Sequence, residues 1–385
     1  MTSVSSDHIF MARALSLAKR GKGRTSPNPM VGAVIVKHEK IVGEAYHRKA
    51  GEPHAEVLAL QRAGPQARGG ILYVTLEPCV HVNKRTPPCV PLLLQSGVTR
   101  ICIAMKDPNP QVAGKGIEAL KRAGLAVTVG VCEAEARSLN MVYSHWIRTG
   151  RPLVTLKGAM TLDGKMATKT GQSQWITGEV ARKDVHRVRG QVDAIVVGIG
   201  TVLADNPDLS ARGSHPGSCQ RRGRQPVRVV LDSRLRIPVT AKVLRWIIEQ
   251  PTIVCTTSQA PKNKIQQLER QGVQVWVMPQ CSSRVSLPAV LKRLGQSGLT
   301  SVLMEGGPTL NASALKANVV DRVELYIAPK LLGGQDALGL IGGSSPKRMQ
   351  VAWQIDQVRV KQLGPDFCVT GTLVPSRSRR QVDSD

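Results

Sequence analysis

Residues 51–57 read Gly51-Glu52-Pro53-His54-Ala55-Glu56-Val57, and two short runs further on complement them: Glu77-Pro78-Cys79 and Pro87-Pro88-Cys89. The histidine opens a segment, His54–Ala63, that reads as a helix stopped by Gly64. Cys79 follows the apolar run Ile71–Thr75, and Cys89 opens another helical stretch. One histidine and two cysteines make a three-donor zinc set that keeps the fourth position for water. A glutamate two residues after a ligand histidine is placed to move protons, not to ligate. Zinc lowers the pKa of its water, which can then attack an amidine-type ring carbon at neutral pH. Glu56 would pass the proton to the ring nitrogen and the departing ammonia. Taken singly, these residues read as a helix cap and core cysteines. Together they point to zinc chemistry.

Nine residues separate the two cysteines, among them His81, Lys84 and Arg85. Deaminases of nucleosides and tRNA bases keep their cysteines at P-C-x-x-C spacing. A basic loop between two metal ligands is placed to reach a substrate phosphate, although such a loop is more often only solvated.

The 385-residue chain is long for one core and comfortable for two. Only 2 Phe and 4 Tyr are present, so the cores must be largely aliphatic. No apolar stretch approaches the roughly 18 residues of a membrane span. Asp7 and His8 precede Ile9, and no apolar core with a small-residue cleavage site follows, so no signal peptide is expected. Met11, Ala14, Leu15 and Ala18 instead carry helical spacing, with residues 1–6 a loose end. The 8 cysteines form no disulfide framework in a chain of this length, which fits a reduced, cytoplasmic protein. Apart from Cys79 and Cys89 they read as small buried hydrophobes. The net charge of +26 is spread out: residues 1–150 hold 20 Lys/Arg against 10 Asp/Glu, and the remainder 33 against 17. Nucleic-acid binders concentrate basic charge and interleave aromatics, which are scarce here.

The first half alternates strands and helices. Val31–Val36, Ile41–Tyr46, Ile71–Thr75, Thr99–Ala104 and Leu125–Val129 read as strands, and Gly116–Ala123 as a helix stopped by Gly124. A boundary falls at Arg148-Thr149-Gly150-Arg151-Pro152. Beyond it, Leu153–Leu156, Ala194–Val197, Val227–Leu231, Thr252–Cys255, Val273–Val277, Ser301–Met304 and Val323–Ala328 read as strands of a second α/β domain. Residues 211–226 read as an exposed loop and 375–385 as a disordered tail.

The runs Thr25-Ser26-Pro27-Asn28-Pro29-Met30-Val31-Gly32, Gly51–Val57, Thr75-Leu76-Glu77-Pro78-Cys79, Arg85-Thr86-Pro87-Pro88-Cys89 and Asp107-Pro108-Asn109-Pro110 resemble the bifunctional riboflavin biosynthesis deaminase-reductases. The likeness extends over roughly residues 7–373. It implies a cytidine-deaminase-like three-layer domain over 1–148 and a dihydrofolate-reductase-like α/β domain over 151–374. The implied substrate is 2,5-diamino-6-(5-phosphoribosylamino)pyrimidin-4-one. Deamination to the aminouracil would precede NADPH-dependent reduction of the ribosyl to a ribityl chain. One Zn2+ per chain and NADPH are the implied cofactors, and a homo-oligomer the implied assembly. By the same resemblance Asn28, Asp107 and Asn109 hold pyrimidine and ribose, and His81 and Arg85 lie near the phosphoribosyl group. The family's loop reads C-S-H-x-G-[K/R]-T-P-P-C; here it is one residue longer, lacks the Gly and has Val80 for Ser. Lys84 and Arg85 are both candidates for the phosphate partner.

In the second half, Leu156–Lys165, Gly171–Gly178 and Val197–Pro207 resemble the family's reductase. Glu305-Gly306-Gly307-Pro308-Thr309-Leu310 also carries a signal of its own. Glycines between a strand and a helix let backbone N–H groups approach a phosphate. No G-x-G-x-x-G is present, so a Rossmann reading is not supported. The resemblance implies that Ala159, Trp175, Thr201, Asp205, Ser233, Gly306, Gly307, Pro308, Thr309, Leu310 and Asn311 line NADPH. It places Ser173, Arg189, Leu209, Arg212 and Glu305 at the substrate. Arg189 and Arg212 suit a phosphate, and Lys157, Asp163 and Glu305 are candidates for the proton donor. Two other readings stand beside this one: a deaminase of nucleic-acid bases with a binding module, and an enzyme whose altered loop leaves only the reductase working.

Overall fold

A computed structural model of the chain describes residues 6–80, 87–211 and 224–374. The expected tail, most of the loop at 211–226, and His81, Lys84, Arg85 and Arg212 lie outside the described residues. The chain divides into two compact units, Met1–Gly150 and Arg151–Asp385.

The N-terminal unit begins with α1 (Ser6–Lys19), so Ser6 belongs to a helix and not to a loose end. Met11, Ala14, Leu15 and Ala18 are its buried face, as their spacing predicts. Then follow β1 (Gly32–Lys37), β2 (Lys40–Tyr46), α2 (Ala55–Ala63), β3 (Ile71–Val74), α3 (Cys89–Gln95), β4 (Arg100–Ile103), α4 (Lys115–Arg122), β5 (Ala126–Val129), α5 (Glu133–Leu139) and α6 (Met141–Thr149). The sheet order is β2-β1-β3-β4-β5, with β1 antiparallel to both neighbours and β3, β4 and β5 parallel.

Two glycines show how helices cover this sheet. A Cβ on Gly32 would lie 2.0 Å from the Ala14 carbonyl oxygen of α1. A Cβ on Gly43, which pairs with Ile35, would lie 2.4 Å from the Ala59 carbonyl oxygen of α2. Gly32 and Ile35 are three apart on one strand and so point to opposite faces. The two helices therefore cover opposite faces, and the unit is a three-layer sandwich. Its core is aliphatic, with Val34, Ile35, Leu72, Ile101 and Ile103 wholly buried around Tyr73. Segments that leave the C-terminal ends of β3 and β4 carry Cys79 and Asp107, where ligands bind in open α/β sheets.

The C-terminal unit runs β6 (Leu153–Thr161), β7 (Lys165–Ala167), α7 (Glu179–Arg189), β8 (Ala194–Gly198), α8 (Ile199–Asp205), β9 (Val227–Leu231), β10 (Thr252–Thr256), α9 (Lys262–Arg270), β11 (Gln274–Val277), β12 (Gln280–Cys281), β13 (Arg284–Val285), α10 (Leu287–Gln296), β14 (Ser301–Met304), α11 (Pro308–Lys316), β15 (Arg322–Ala328), β16 (Leu338–Gly339), β17 (Gln354–Leu363) and β18 (Asp366–Val374). A nine-stranded sheet has the order β11-β10-β9-β8-β14-β6-β15-β18-β17. Pairings from β11 through β15 are parallel, and β18 and β17 add an antiparallel edge. Val196, Val229 and Val302 pack into one core cluster, and Val197, Val230 and Leu303 into another. Burial on both faces explains why these strands read as short, largely apolar runs, interrupted in β9 by the buried Arg228.

The structure adds to the expected strands: the short β7, β12, β13 and β16 were not expected. β6 continues through Lys157 to Thr161, because β15 pairs with it over that length. The β17–β18 hairpin is also absent from the sequence reading. β17 is exposed along nearly all its length and lacks the apolar run that marks a buried strand. Of the remaining described cysteines, Cys281 is exposed and Cys132 half-buried, so only Cys102, Cys255 and Cys368 are core residues.

Gly32→Ala should lower the stability of the N-terminal unit by about 1–3 kcal/mol, because its methyl meets backbone that cannot move aside. Urea unfolding reads this, and an unchanged midpoint would mean that α1 does not rest on β1.

Candidate active sites

His54 is the N-cap of α2, yet its side chain makes no capping hydrogen bond. The ring turns instead to the cysteines, with Nδ1 3.2 Å from Cys89 Sγ and 3.6 Å from Cys79 Sγ. All three donor atoms lie within 4.8 Å of one another. A tetrahedral zinc with ordinary bond lengths needs N···S and S···S edges of about 3.6 and 3.8 Å, so the donor set fits that ion. The cysteines are brought together by α3: the Cys89 and Val90 amides donate to the Cys79 carbonyl at 3.1 and 3.3 Å. The Cys89 amide also faces Cys79 Sγ at 3.4 Å. Amides at a helix start favour thiolate over thiol.

Glu56, in the first turn of α2, is buried and hydrogen-bonds with Cys89. Burial pushes its carboxyl above the usual carboxylate range. His47, which the sequence reading missed, stands beside His54. Its ring meets that of His54 edge-on at 5.4 Å between centroids. Asn28 Nδ2 lies 3.1 Å from its Nε2, and the Pro53 carbonyl 3.2 Å from its Nδ1. An amide nitrogen only donates and a carbonyl only accepts. His47 is therefore neutral with its proton on Nδ1, and burial pushes its pKa down accordingly. It fixes the Asn28 amide. No spacing to the zinc ligands marks it in sequence, since the link is made across the end of β2.

Asp107 is buried after β4 and accepts from the Asn109 amide (2.9 Å) and the Tyr143 hydroxyl (3.1 Å). Burial raises its pKa to about 6. Tyr143, from α6, was likewise not foreseen.

In the C-terminal unit a cleft of about 1160 Å³ lies at the C-terminal ends of β6, β8 and β14. Of the residues expected there, Ala159, Ser173, Trp175, Arg189, Thr201, Asp205, Leu209, Glu305 and Gly306 line it. Gly307, Pro308, Thr309, Leu310 and Asn311 do not line it; they form the start of α11. Asn311 is fully buried and donates to the Leu340 carbonyl. Ser233 also stands apart, its hydroxyl accepting from the Val285 amide. Lys157, His186, Asp208, Lys242, Arg245 and Trp246 line the cleft as well. Of these only Lys157 had been singled out, because the others sit in no recognisable motif.

Glu305 follows β14 and is clamped by Arg189, whose Nε and Nη2 reach its two oxygens at 2.7 and 2.8 Å. Arg189 Nη1 donates to the Ser210 carbonyl at 3.2 Å. Each guanidinium nitrogen thus makes a contact within the protein, while Arg189 also lines the cleft. Lys157 Nζ lies 3.9 Å from Glu305. Burial works to raise the Glu305 pKa, but the Arg189 charge and hydrogen bonds, with Lys157, outweigh it and hold the carboxylate well below its usual range. Burial pushes the Lys157 ammonium down, and Glu305 only partly offsets it. Asp163 is occupied elsewhere, accepting from Thr161 and from the Leu332 and Gly333 amides.

The starts of α8 and α11 lie side by side, since β8 and β14 are neighbours. A Cβ on Gly198 would lie 3.9 Å from Leu310, and one on Gly307 3.8 Å from Thr201 Oγ1. Two helix starts at adjacent strand ends suit a pyrophosphate. Trp175, which lines the cleft, is 64 % exposed and carries the Arg182 guanidinium 4.4 Å from its ring centroid. These residues fit a dinucleotide.

Two family descriptions match the chain: "Cytidine and deoxycytidylate deaminase zinc-binding region" over residues 4–105 and "RibD C-terminal domain" over 152–369. Fold and site thus define a zinc-dependent deaminase joined to a reductase. Similar proteins include the riboflavin biosynthesis protein RibD of Aquifex aeolicus, 45% identical over 94% of this chain and 97% of that one, and RibD of Escherichia coli, 42% identical over 94% and 98%. Among solved structures, Acinetobacter baumannii RibD (form 1) superposes with a TM-score of 0.85 at 40% identity, covering 97% of this chain and 99% of that one. The Thermotoga maritima diaminohydroxyphosphoribosylaminopyrimidine deaminase/5-amino-6-(5-phosphoribosylamino)uracil reductase gives 0.81 at 34%, covering 96% and 99%. The chain belongs to the RibD family of bifunctional riboflavin biosynthesis enzymes. That near full-length match sets aside the nucleic-acid reading.

Cys89→Ser should reduce bound zinc well below one per chain, read by elemental analysis of purified protein; full retention would exclude Cys89 as a ligand. Glu305 yields a pH prediction. Its folded pKa is depressed, so its stabilisation is present above the unfolded value and is lost as pH falls through the folded one. Glu305→Gln should therefore lower the urea midpoint of the C-terminal unit at pH 7 and much less near pH 2. An equal difference at both pH values would contradict the ion pair.

Proposed function

We propose that the N-terminal unit hydrolytically deaminates 2,5-diamino-6-(5-phosphoribosylamino)pyrimidin-4-one, and that the C-terminal unit then reduces the ribosyl of the product to ribityl with NADPH. The convergence of His54, Cys79 and Cys89 beside a buried Glu56 carries the first half. Zinc bound there supplies an activated water. Glu56 would hold a proton on its carboxyl and pass it to the ring nitrogen and the leaving ammonia. Asn28, oriented by His47, and the Asp107–Asn109 turn present amide and carboxyl groups to the pyrimidine and ribose. His81 with Lys84 or Arg85 would meet the phosphate.

In the reductase, NADPH supplies the hydride. Gly306 at the turn into α11, with Trp175, Thr201 and Asp205, would orient the cofactor. Glu305 stays charged within its Arg189 clamp and orders the cleft floor, so it is not the proton donor. Lys157, buried with its pKa lowered, is the better candidate for delivering a proton to the opening ribose. Lys183, Lys242 and Arg245, on the cleft wall, are cations that the phosphate would meet. On the resemblance alone we place the enzyme in the cytoplasm as a homo-oligomer. Among the described residues no helix is long and apolar enough to cross a membrane.

Glu56→Gln should cut deamination by at least a thousandfold while reduction of supplied aminouracil continues at the unaltered rate. Loss of both activities in a folded variant would overturn the two-site reading.

A further inference from the structure

Glu77 stands two residues before Cys79 and is 3% exposed. Its carboxylate accepts four main-chain N–H groups. Oε2 takes Asp107 (3.1 Å) and Gly114 (2.9 Å), and Oε1 takes Gly116 (3.0 Å) and Ile117 (3.2 Å). Its own amide donates to the Met105 carbonyl at 3.0 Å. Gly116 and Ile117 lie in the first turn of α4, whose N-cap Gly114 has no side chain to cap with. Glu77 thus satisfies orphan amides of that helix from a distant segment. The contact is close: a Cβ on Gly116 would lie 2.1 Å from the Pro78 carbonyl oxygen. A buried carboxylate is tolerable only when its lone pairs are filled, and here four donors fill them.

The chemistry above gives Glu77 no part, yet it joins the two loops that the deaminase site is built from. One loop carries Cys79. The other, 105–117, carries Asp107 and Asn109. We propose that Glu77 is a positioning residue: its four amide contacts fix the Asp107–Asn109 turn relative to the zinc ligands and thereby set affinity for the pyrimidine substrate. The inference rests on the reading that this turn contacts substrate.

A carboxamide in its place would turn an NH2 group toward amide donors, so Glu77→Gln breaks about half of the contacts without a change of size. The full-length zinc-loaded enzyme and its Glu77→Gln, Glu77→Asp and Asn109→Ala variants would be compared. The measurements are zinc content, hydrogen exchange over residues 105–117, and KM and kcat for the diaminopyrimidine phosphate. Glu77→Gln should keep one zinc per chain, lose protection over 105–117, and raise KM at least tenfold with a smaller fall in kcat. Glu77→Asp, which keeps the charge, should fall between Gln and the parent. If Asn109→Ala raises KM and Glu77→Gln does not, Glu77 has no positioning role. If Glu77→Gln loses zinc, its role is structural support of the metal loop and the proposal is wrong. If Asn109→Ala leaves KM unchanged, the turn does not contact substrate, and the underlying reading fails with the proposal.

Discussion

A tetrahedral zinc accepts donors only within a few tenths of an ångström of about 2.0–2.3 Å from the ion, and in this chain those donors come from three separate segments. The N-terminal fold is a means of holding them to that tolerance. The sheet fixes where β3 ends, and hence where Cys79 begins its turn. The close seating of α2 on β2 fixes His54. The amides at the start of α3 hold Cys89 against the Cys79 carbonyl. Once His54 is placed as an N-cap, the pitch of the helix carries Glu56 into the same pocket, so the proposed proton carrier needs no further device.

The C-terminal unit solves a different problem. Its cleft floor holds three charged groups out of water, and that is affordable only because Arg189 engages both oxygens of Glu305 while Lys157 approaches one. The sheet order makes this possible by placing β14 between β8 and β6. Glu305, the Gly198 turn and Lys157 therefore emerge on neighbouring strands although about 100 residues or more separate Glu305 from either. The same adjacency sets two helix starts side by side.

How much of this was legible in the sequence follows from the same physics. His54, Glu56, Cys79 and Cys89 could be read because metal chemistry demands particular side chains, and such residues are scarce enough to be noticed. The buried parallel strands could be read because burial on both faces leaves largely apolar runs. β17 could not, being an exposed edge strand of mostly polar residues. His47, Tyr143 and Glu77 were hidden for another reason. Their roles rest on contacts to main-chain groups or to residues far away in sequence, and no local pattern records such contacts. Arg189 was legible as a site residue, but its clamp on Glu305 was not, because Arg189 ends α7 and Glu305 follows β14, far away in sequence. Asp163 looked reactive in its motif, yet backbone amides of the 332–333 turn already occupy its carboxylate.

Two chemistries in one chain, acting in order, can be followed by incubating purified protein with 2,5-diamino-6-(5-phosphoribosylamino)pyrimidin-4-one, or with the deaminated aminouracil, with and without NADPH, and recording ammonia release and NADPH loss together. Ammonia in both diaminopyrimidine samples, with NADPH consumed only after it, is the predicted result. NADPH loss confined to samples given already deaminated substrate, with no ammonia from the diaminopyrimidine, would contradict the account of the zinc site.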